Sequence, residues 1–411
     1  MEELERLMQE YREWQAKGLA LNMARGKPEA GQLELSSELL GPLDKPFAED
    51  GTDCRNYGVL DGLPEAKRLM AIMLEASPEN VFVGGNASLT LMYDTVARWH
   101  AFGALGSTPW CALDTVKWLC PVPGYDRHFA ITEAFGYEMI PAPMDEHGPD
   151  MDMVERLVAQ DASIKGIWCV PKYSNPSGIT YSDEVVRRLA SMKCAADDFR
   201  IIWDNAYCIH HLFDETSEQD ALLDIGVACE EEGTADRYVK FASTSKVTLP
   251  GAGIAAFAAS PANMDEARTR IGAQAIGHDK LNQLRHVRLL RDENGLRAHM
   301  AKHAAILRPK FACVAASLEP LAAYGCTWTN PRGGYFVTFT GPDNTAARIV
   351  ELCREAGVVL TGAGAPYPYG RDPHDSTIRI APTMPPLAEL EHAMEIFVLC
   401  AKIACLEVAG Q

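Results

Sequence analysis

Apolar residues are distributed in two regimes along this chain. From about residue 78 to 260, short apolar runs such as "NVFVGG", "IKGIWCV", "RIIW", "RYVKFAS" and "GIAAFAAS" alternate with longer segments of helical period. In "NASLTLMYDTVARWHAFG", for example, Leu89, Met92, Tyr93, Val96, Ala97 and Trp99 recur at the spacing of one helix face. Strands alternating with helices predict an α/β fold, a mostly parallel sheet with helices on both faces. Ser182, just before "DEVVRRLASMK", has the place and chemistry of a helix cap. Beyond residue 280 the pattern changes to long amphipathic helices, then a hairpin-like stretch "GCTWTNPRGGYFVTFTG", which predicts a smaller α+β domain. The expected division is an arm and helix over 1–45 packed with the small domain, a large domain over 46–290, and a small C-terminal domain over 291–411. No internal repeat or low-complexity tract is visible.

Composition narrows the functional classes. The 411 residues are 47% hydrophobic and 23% charged, ordinary values for a globular protein with a sizeable core. Asp and Glu (56) outnumber Lys and Arg (38), and the net charge of −18, with no basic run, argues against nucleic acid or an anionic membrane as partner. Twelve scattered cysteines with no CxxC pair read as reduced thiols, and the charged N-terminal pattern lacks an apolar leader, so a cytoplasmic location is expected. No HExxH occurs and His210-His211 merely follows a strand, so no metal is expected.

Ligands of open α/β sheets bind beyond the carboxyl ends of the strands, and the polar residues of this sequence gather there. The turn Gly84–Ser88 leads from a strand into a helix. It is either an anion-binding helix N-terminus or a glycine turn with a serine cap. Asp204 ends the run "RIIW" and is either a helix cap or the partner of a cationic ring nitrogen, since an unpaired buried carboxylate is costly. Tyr207 follows three residues later, and Asn175 stands in the loop "SNPSG". Lys246 lies in "STSKVTLPGAG". It is not a P-loop lysine, because Val247 stands where Ser or Thr is required, and the Gly251-x-Gly253-x-x-Ala256 run lacks the strand and acidic residue of a dinucleotide site.

Together the stretches "NYGVLDGLPEAKR", "GGNASLTLMYD", "PVPGYDRHF", "SNPSG", "WDNAY", "STSK", "PRGGYF" and "IRIAP" resemble, in order and spacing, the fold-type-I pyridoxal-phosphate (PLP) enzymes of the class I aminotransferase kind, most of all the aspartate aminotransferases. The resemblance implies a seven-stranded-type large-domain sheet and a homodimer with shared sites. It implies that Lys246 carries the cofactor as a Schiff base and moves the proton of the 1,3-shift. Asp204 then resembles the carboxylate on the pyridine nitrogen, Tyr207 and Asn175 the partners of the ring's phenolic oxygen, and Tyr125 the aromatic residue stacked on the ring. Gly85, Asn86, Ala87, Ser88, Ser243 and Ser245 match the phosphate cup, with Tyr57 reaching in from the partner subunit. Arg379 matches the arginine that grips the substrate α-carboxylate.

Two departures stand out. Family members carry an arginine about eight residues after the lysine, where this chain reads "PGAGIAA", and "ARGKP" places Arg25 and Lys27 near a segment that in the family closes over substrate. Either cation could meet a substrate side-chain carboxylate or be a surface charge. The activity implied is transfer of an amino group from an acidic amino acid, aspartate with 2-oxoglutarate as acceptor, to a 2-oxo acid. Other amino donors or a β-lyase reaction are the alternatives on the same scaffold. A non-catalytic PLP-binding sensor is the alternative of another class, opposed by the missing basic DNA-binding module.

Overall fold

The chain is described by a computed structural model over residues 2–410. Its central sheet contains β1 (Val81–Val83), β2 (Lys117–Val122), β3 (Glu138–Asp145), β4 (Gly148–Pro149), β5 (Ile164–Cys169), β6 (Arg200–Asp204), β7 (Tyr238–Ser243) and β8 (Ala255–Ala259). Their order across the sheet is β1-β8-β7-β6-β5-β2-β3-β4. Strands β7, β6, β5, β2 and β3 pair in parallel, and β8 runs antiparallel to both of its neighbours. The expected seven strands are therefore present, and the two-residue β4 adds an antiparallel fringe on β3. Pro141 and Pro143 are tolerated in β3 because only Met144 and Asp145 pair on its outer side.

Every residue of β5, β6, β7 and β8 is buried, which is why these strands read as continuous apolar runs. Alternate side chains feed opposite cores. Trp118, Trp168, Ile202, Phe241 and Phe257 pack on one face with Met92 and Val96 of the helix Ser88–Phe102. Leu119, Ile167, Ile201 and Trp203 pack on the other with Val154, Val186 and Leu189.

A three-stranded antiparallel sheet, Thr327–Trp328, Val337–Thr340 and Thr377–Ile380, lies with the helices Ala346–Glu355 and Leu387–Ala409. The N-terminal segment belongs to this part of the molecule. Helix Glu2–Ala16 packs on Leu387–Ala409, the Tyr11 hydroxyl donates to the Leu352 carbonyl at 3.0 Å, and Leu21–Asn22 pairs with Val358–Val359. Helix Glu293–Leu318 joins the two parts, with Leu296 and Met300 in a core beneath the large sheet and Leu307, Phe311 and Val314 in the core around the smaller one.

Lys310 of that helix is 2% exposed. Its ammonium donates to the carbonyls of Thr383 and Pro385 at 2.9 and 2.7 Å and pairs with Glu29 of the N-terminal segment. Replacing Lys310 with Met keeps the volume but strands the Glu29 carboxylate and two carbonyls. The expected loss is about 3 kcal/mol, read as a lower urea midpoint for unfolding.

Candidate active site

The parallel strands end on one rim, and the loops leaving them place the candidate residues together. Asp204, the last residue of β6, is 3% exposed. One carboxylate oxygen, Oδ2, lies 3.1 Å from Nε2 of His128, which is 1% exposed. A carboxylate only accepts, so the imidazole donates from Nε2. Oδ1 is buried without a hydrogen-bond partner among the described residues. His128 is fixed by a stacked contact with Trp168, centroids 4.5 Å apart, and by an edge contact with Tyr125 at 4.9 Å. Tyr125 immediately precedes the helix Asp126–Ala134, so it and His128, three residues apart, meet over the helix's first turn. Burial, with Asp204 adding to it, pushes the Tyr125 hydroxyl up to about 12.

Lys246 follows the end of β7, and its Nζ lies 4.8 Å from the centre of the Tyr207 ring. The residue as a whole is half-buried, with its amine packed inside the protein. The protein packed around its amine pushes its pKa below that of an ordinary lysine. Asp204 opposes this, and the charge of Arg379 adds to it. Tyr207 is 2% exposed, and burial raises its hydroxyl well above the usual tyrosine range. The backbone carbonyl of Lys246 accepts from the Tyr335 hydroxyl at 3.3 Å and lies 3.3 Å from Nε2 of His210. Burial holds the His210 pKa down to about 3, so the ring is neutral and donates there.

Arg379 comes from the strand Thr377–Ile380 and is 9% exposed. Nη1 donates to Asn175 Oδ1 and to Asp126 Oδ1, both at 3.3 Å. Nη2 donates to the Ala24 carbonyl at 3.3 Å and to Thr361 Oγ1 at 3.0 Å, while Nε is buried without a partner among the described residues. The guanidinium lies 4.8 Å from the centre of the Phe336 ring. A Cβ at Gly26 would come within 2.4 Å of Phe336 Cζ, so only glycine lets this segment cross the ring.

The turn after β1 leaves backbone open at a helix start, a geometry that suits an anion. The helix Ser88–Phe102 starts behind Ala87, whose backbone is extended, and no side chain caps it. The serine-cap alternative for Ser88 is therefore not what forms, and the first N–H groups stay free. At Gly85 an added Cβ would meet nothing within 4 Å, so the backbone there is open to a ligand. Ser243 Oγ and Ser245 Oγ are 3.0 Å apart, and Ser245 Oγ reaches the Asn86 carbonyl at 3.5 Å, which brings the Lys246 loop against the same turn.

Lys246, Asp204, Tyr207, Tyr125, Asn175 and Arg379 thus converge, and the serines and the 85–88 turn adjoin them. Tyr57 does not join this group. It is 84% exposed and its hydroxyl makes no hydrogen bond among the described residues. Arg25 and Lys27 are exposed and unpaired with any acid among the described residues, although their neighbours Ala24 and Gly26 touch the Arg379 pocket. Among the described residues, no three His, Cys, Asp or Glu side chains cluster as metal ligands, and no helix is long and apolar enough to cross a membrane. Sequence reasoning missed His128, Trp168, Asp126 and Thr361. The signal for His128 was its spacing of three from Tyr125 inside "GYDRHF".

The residues present fit PLP. The bare oxygen of Asp204 suits a cationic ring nitrogen, the open glycine and uncapped helix suit a phosphate, and a buried amine adjoins both. The sequence profile of the family described as aspartate amino-transferase matches residues 2–411. The aspartate aminotransferase of Corynebacterium glutamicum is 46% identical over 408 residues, 98% of this chain and 94% of its own length. A crystal structure of an aspartate transaminase from that organism superposes with a TM-score of 0.95 at 45% identity, covering 98% of this chain and 96% of the other. An α-aminoadipate aminotransferase of Thermus thermophilus, solved with N-(5′-phosphopyridoxyl)-L-leucine, shares the fold at a TM-score of 0.75 and 19% identity, with 96% and 95% of the two chains covered. The chain belongs to the aspartate aminotransferase family and is an aminotransferase of PLP fold type I.

Proposed function

We propose that the protein is a PLP-dependent transaminase with L-aspartate as amino donor and 2-oxoglutarate as acceptor. The observation that carries this reading is the convergence at one rim of Lys246, its Nζ 4.8 Å from the centre of the Tyr207 ring, with the half-satisfied Asp204 carboxylate and the Arg379 guanidinium. The 46% identical aspartate aminotransferase supports the choice of donor.

When bound, PLP supplies a protonated ring that accepts the electron pair released at the substrate's α carbon. The bare Oδ1 of Asp204 would hold the ring nitrogen, with His128 fixing the other oxygen. Tyr207 and Asn175 would face the phenolic oxygen, Tyr125 the ring, and Ser243, Ser245 and the N–H groups of residues 85–88 the phosphate. Arg379 binds the α-carboxylate, which orients the α proton toward Lys246. Lys246 would bear the cofactor and, with burial lowering the proton affinity of its amine, would take that proton. Tyr57 would act in a second copy of the chain. Its exposure, with Phe47 47% and Ile276 64% exposed, supports a homodimer. In this reading residues 46–290 bind the cofactor, and the arm 1–45 and residues 291–411 bring Ala24, Gly26 and Arg379 over it.

Borohydride reduction of the purified holoenzyme should attach the cofactor to the peptide containing Lys246, as read by mass spectrometry. An unlabelled Lys246 overturns the reading. Arg379→Ala should raise KM for every amino donor by about a hundredfold, because one partner of a desolvated charge pair is lost. An effect confined to dicarboxylic donors would mean another group grips the α-carboxylate. In stopped-flow half-reactions across a donor panel, aspartate or glutamate should convert the cofactor fastest. A faster aromatic or aliphatic donor would refute the substrate assignment.

A further inference from the structure

We propose that Asp126 is a resident counter-ion of Arg379, which a substrate carboxylate must displace, so that this side chain limits how tightly amino and 2-oxo acids bind. The inference rests on the reading of Arg379 given above. A guanidinium only 9% exposed is costly to leave without an anionic neighbour when no substrate is present. Of the groups that accept its hydrogen bonds, Asn175, Ala24 and Thr361 are neutral, and Asp126 alone carries charge.

The geometry is that of a displaceable partner. Asp126 makes one contact at 3.3 Å, whereas a strong arginine–carboxylate pair is shorter and two-pronged, and Nε of Arg379 is left without any partner among the described residues. The Asp126 side chain is 37% exposed, so it can turn into water with little burial to undo. It is also the first residue of the helix Asp126–Ala134, where the helix dipole keeps its charge stabilised after it leaves the arginine. An incoming carboxylate can use the vacant N–H, but it meets repulsion from the Asp126 carboxylate until that group moves. Asp126 acts here on the substrate through Arg379 and touches no reacting atom, which makes it a positioning residue.

Removing the charge should therefore tighten binding. A partly exposed pair of this kind corresponds to about a three- to tenfold change in affinity. The test is calorimetric titration of cofactor-loaded wild type, Asp126→Asn and Asp126→Ser with succinate and with acetate, neither of which can react. Serine keeps a short first-turn acceptor for the helix, so the two neutral variants perturb folding differently. The expected result is a three- to tenfold lower Kd for both anions in both variants, with KM for every amino donor lowered in the same ratio. Asp126→Glu, which retains the charge, should show no such gain. An unchanged or higher Kd in the neutral variants, with normal cofactor content, overturns the proposal. If Lys246 is labelled by borohydride and Arg379→Ala is impaired while Asp126→Asn binds no tighter, only this inference fails and the site reading stands.

Discussion

A carboxylate buried at the end of an apolar strand, with one oxygen held and the other bare, is the constraint around which this molecule is organised. Asp204 sits at the end of β6, inside a sheet covered on both faces, where an unmatched anion is costly. Among the described residues the chain answers with one donor, the His128 imidazole, clamped between Trp168 and Tyr125. No Lys or Arg pairs with Asp204 among the described residues. A bare buried acceptor of this kind is a local cost in stability that a bound cationic group can relieve, and such sites are where a fold departs from its own packing rules in favour of function.

The charges that flank Lys246 complete this logic. Burial alone would push the amine toward its neutral form. Asp204 pulls it back toward the cation, and Arg379, on a strand of the smaller sheet, pushes it again toward neutrality. The two opposing charges near the lysine come from different sheets, Asp204 from the large one and Arg379 from the small one apposed to it. The N-terminal segment fixes that apposition from outside. Its Ala24 carbonyl accepts from Arg379, Gly26 lies on Phe336, and Glu29 pairs with Lys310. The contacts of Arg379 and the surroundings of the Lys246 amine are thus joined through the N-terminal segment.

Much of this was legible in the sequence, for identifiable reasons. The strands β5 to β8 could be read because burial on both faces forces continuous apolar runs, and Asp204 could be flagged because a charge at the end of such a run needs an explanation. The two-residue β4 had no signal, since two residues cannot show a period. Ser88 left two readings open because serine beside a helix start often caps it, and here the helix begins with Ser88 itself and no side-chain cap forms. The carbonyl of Ala24 on Arg379 could not be foreseen. Backbone groups carry no sequence identity, and the two residues lie 355 positions apart. Asp126 lies within "GYDRHF", but nothing in a linear string brings it to an arginine from the smaller sheet.

The missing arginine after Lys246 has a structural counterpart. Eight residues after the lysine stands Ile254, 2% exposed and packed with Val83, Val247 and Leu284, and its N–H donates to Thr244 Oγ1 at 3.0 Å. The preceding Gly253 approaches so closely that an added Cβ would lie 3.1 Å from Thr244 Oγ1 and 3.3 Å from the Asn86 carbonyl. This backbone course is locked by apolar packing where the family's pattern has a cation. The groups that this turn offers to an anion are neutral donors, the hydroxyls of Ser243 and Ser245 and the N–H groups of an uncapped helix. A helix terminus acts mainly within its first turn and is equivalent to about half a charge. Any anion held here without a cation would depend on position, and the open backbone at Gly85 and the contact of Ser245 with Asn86 bring such neutral donors to one place.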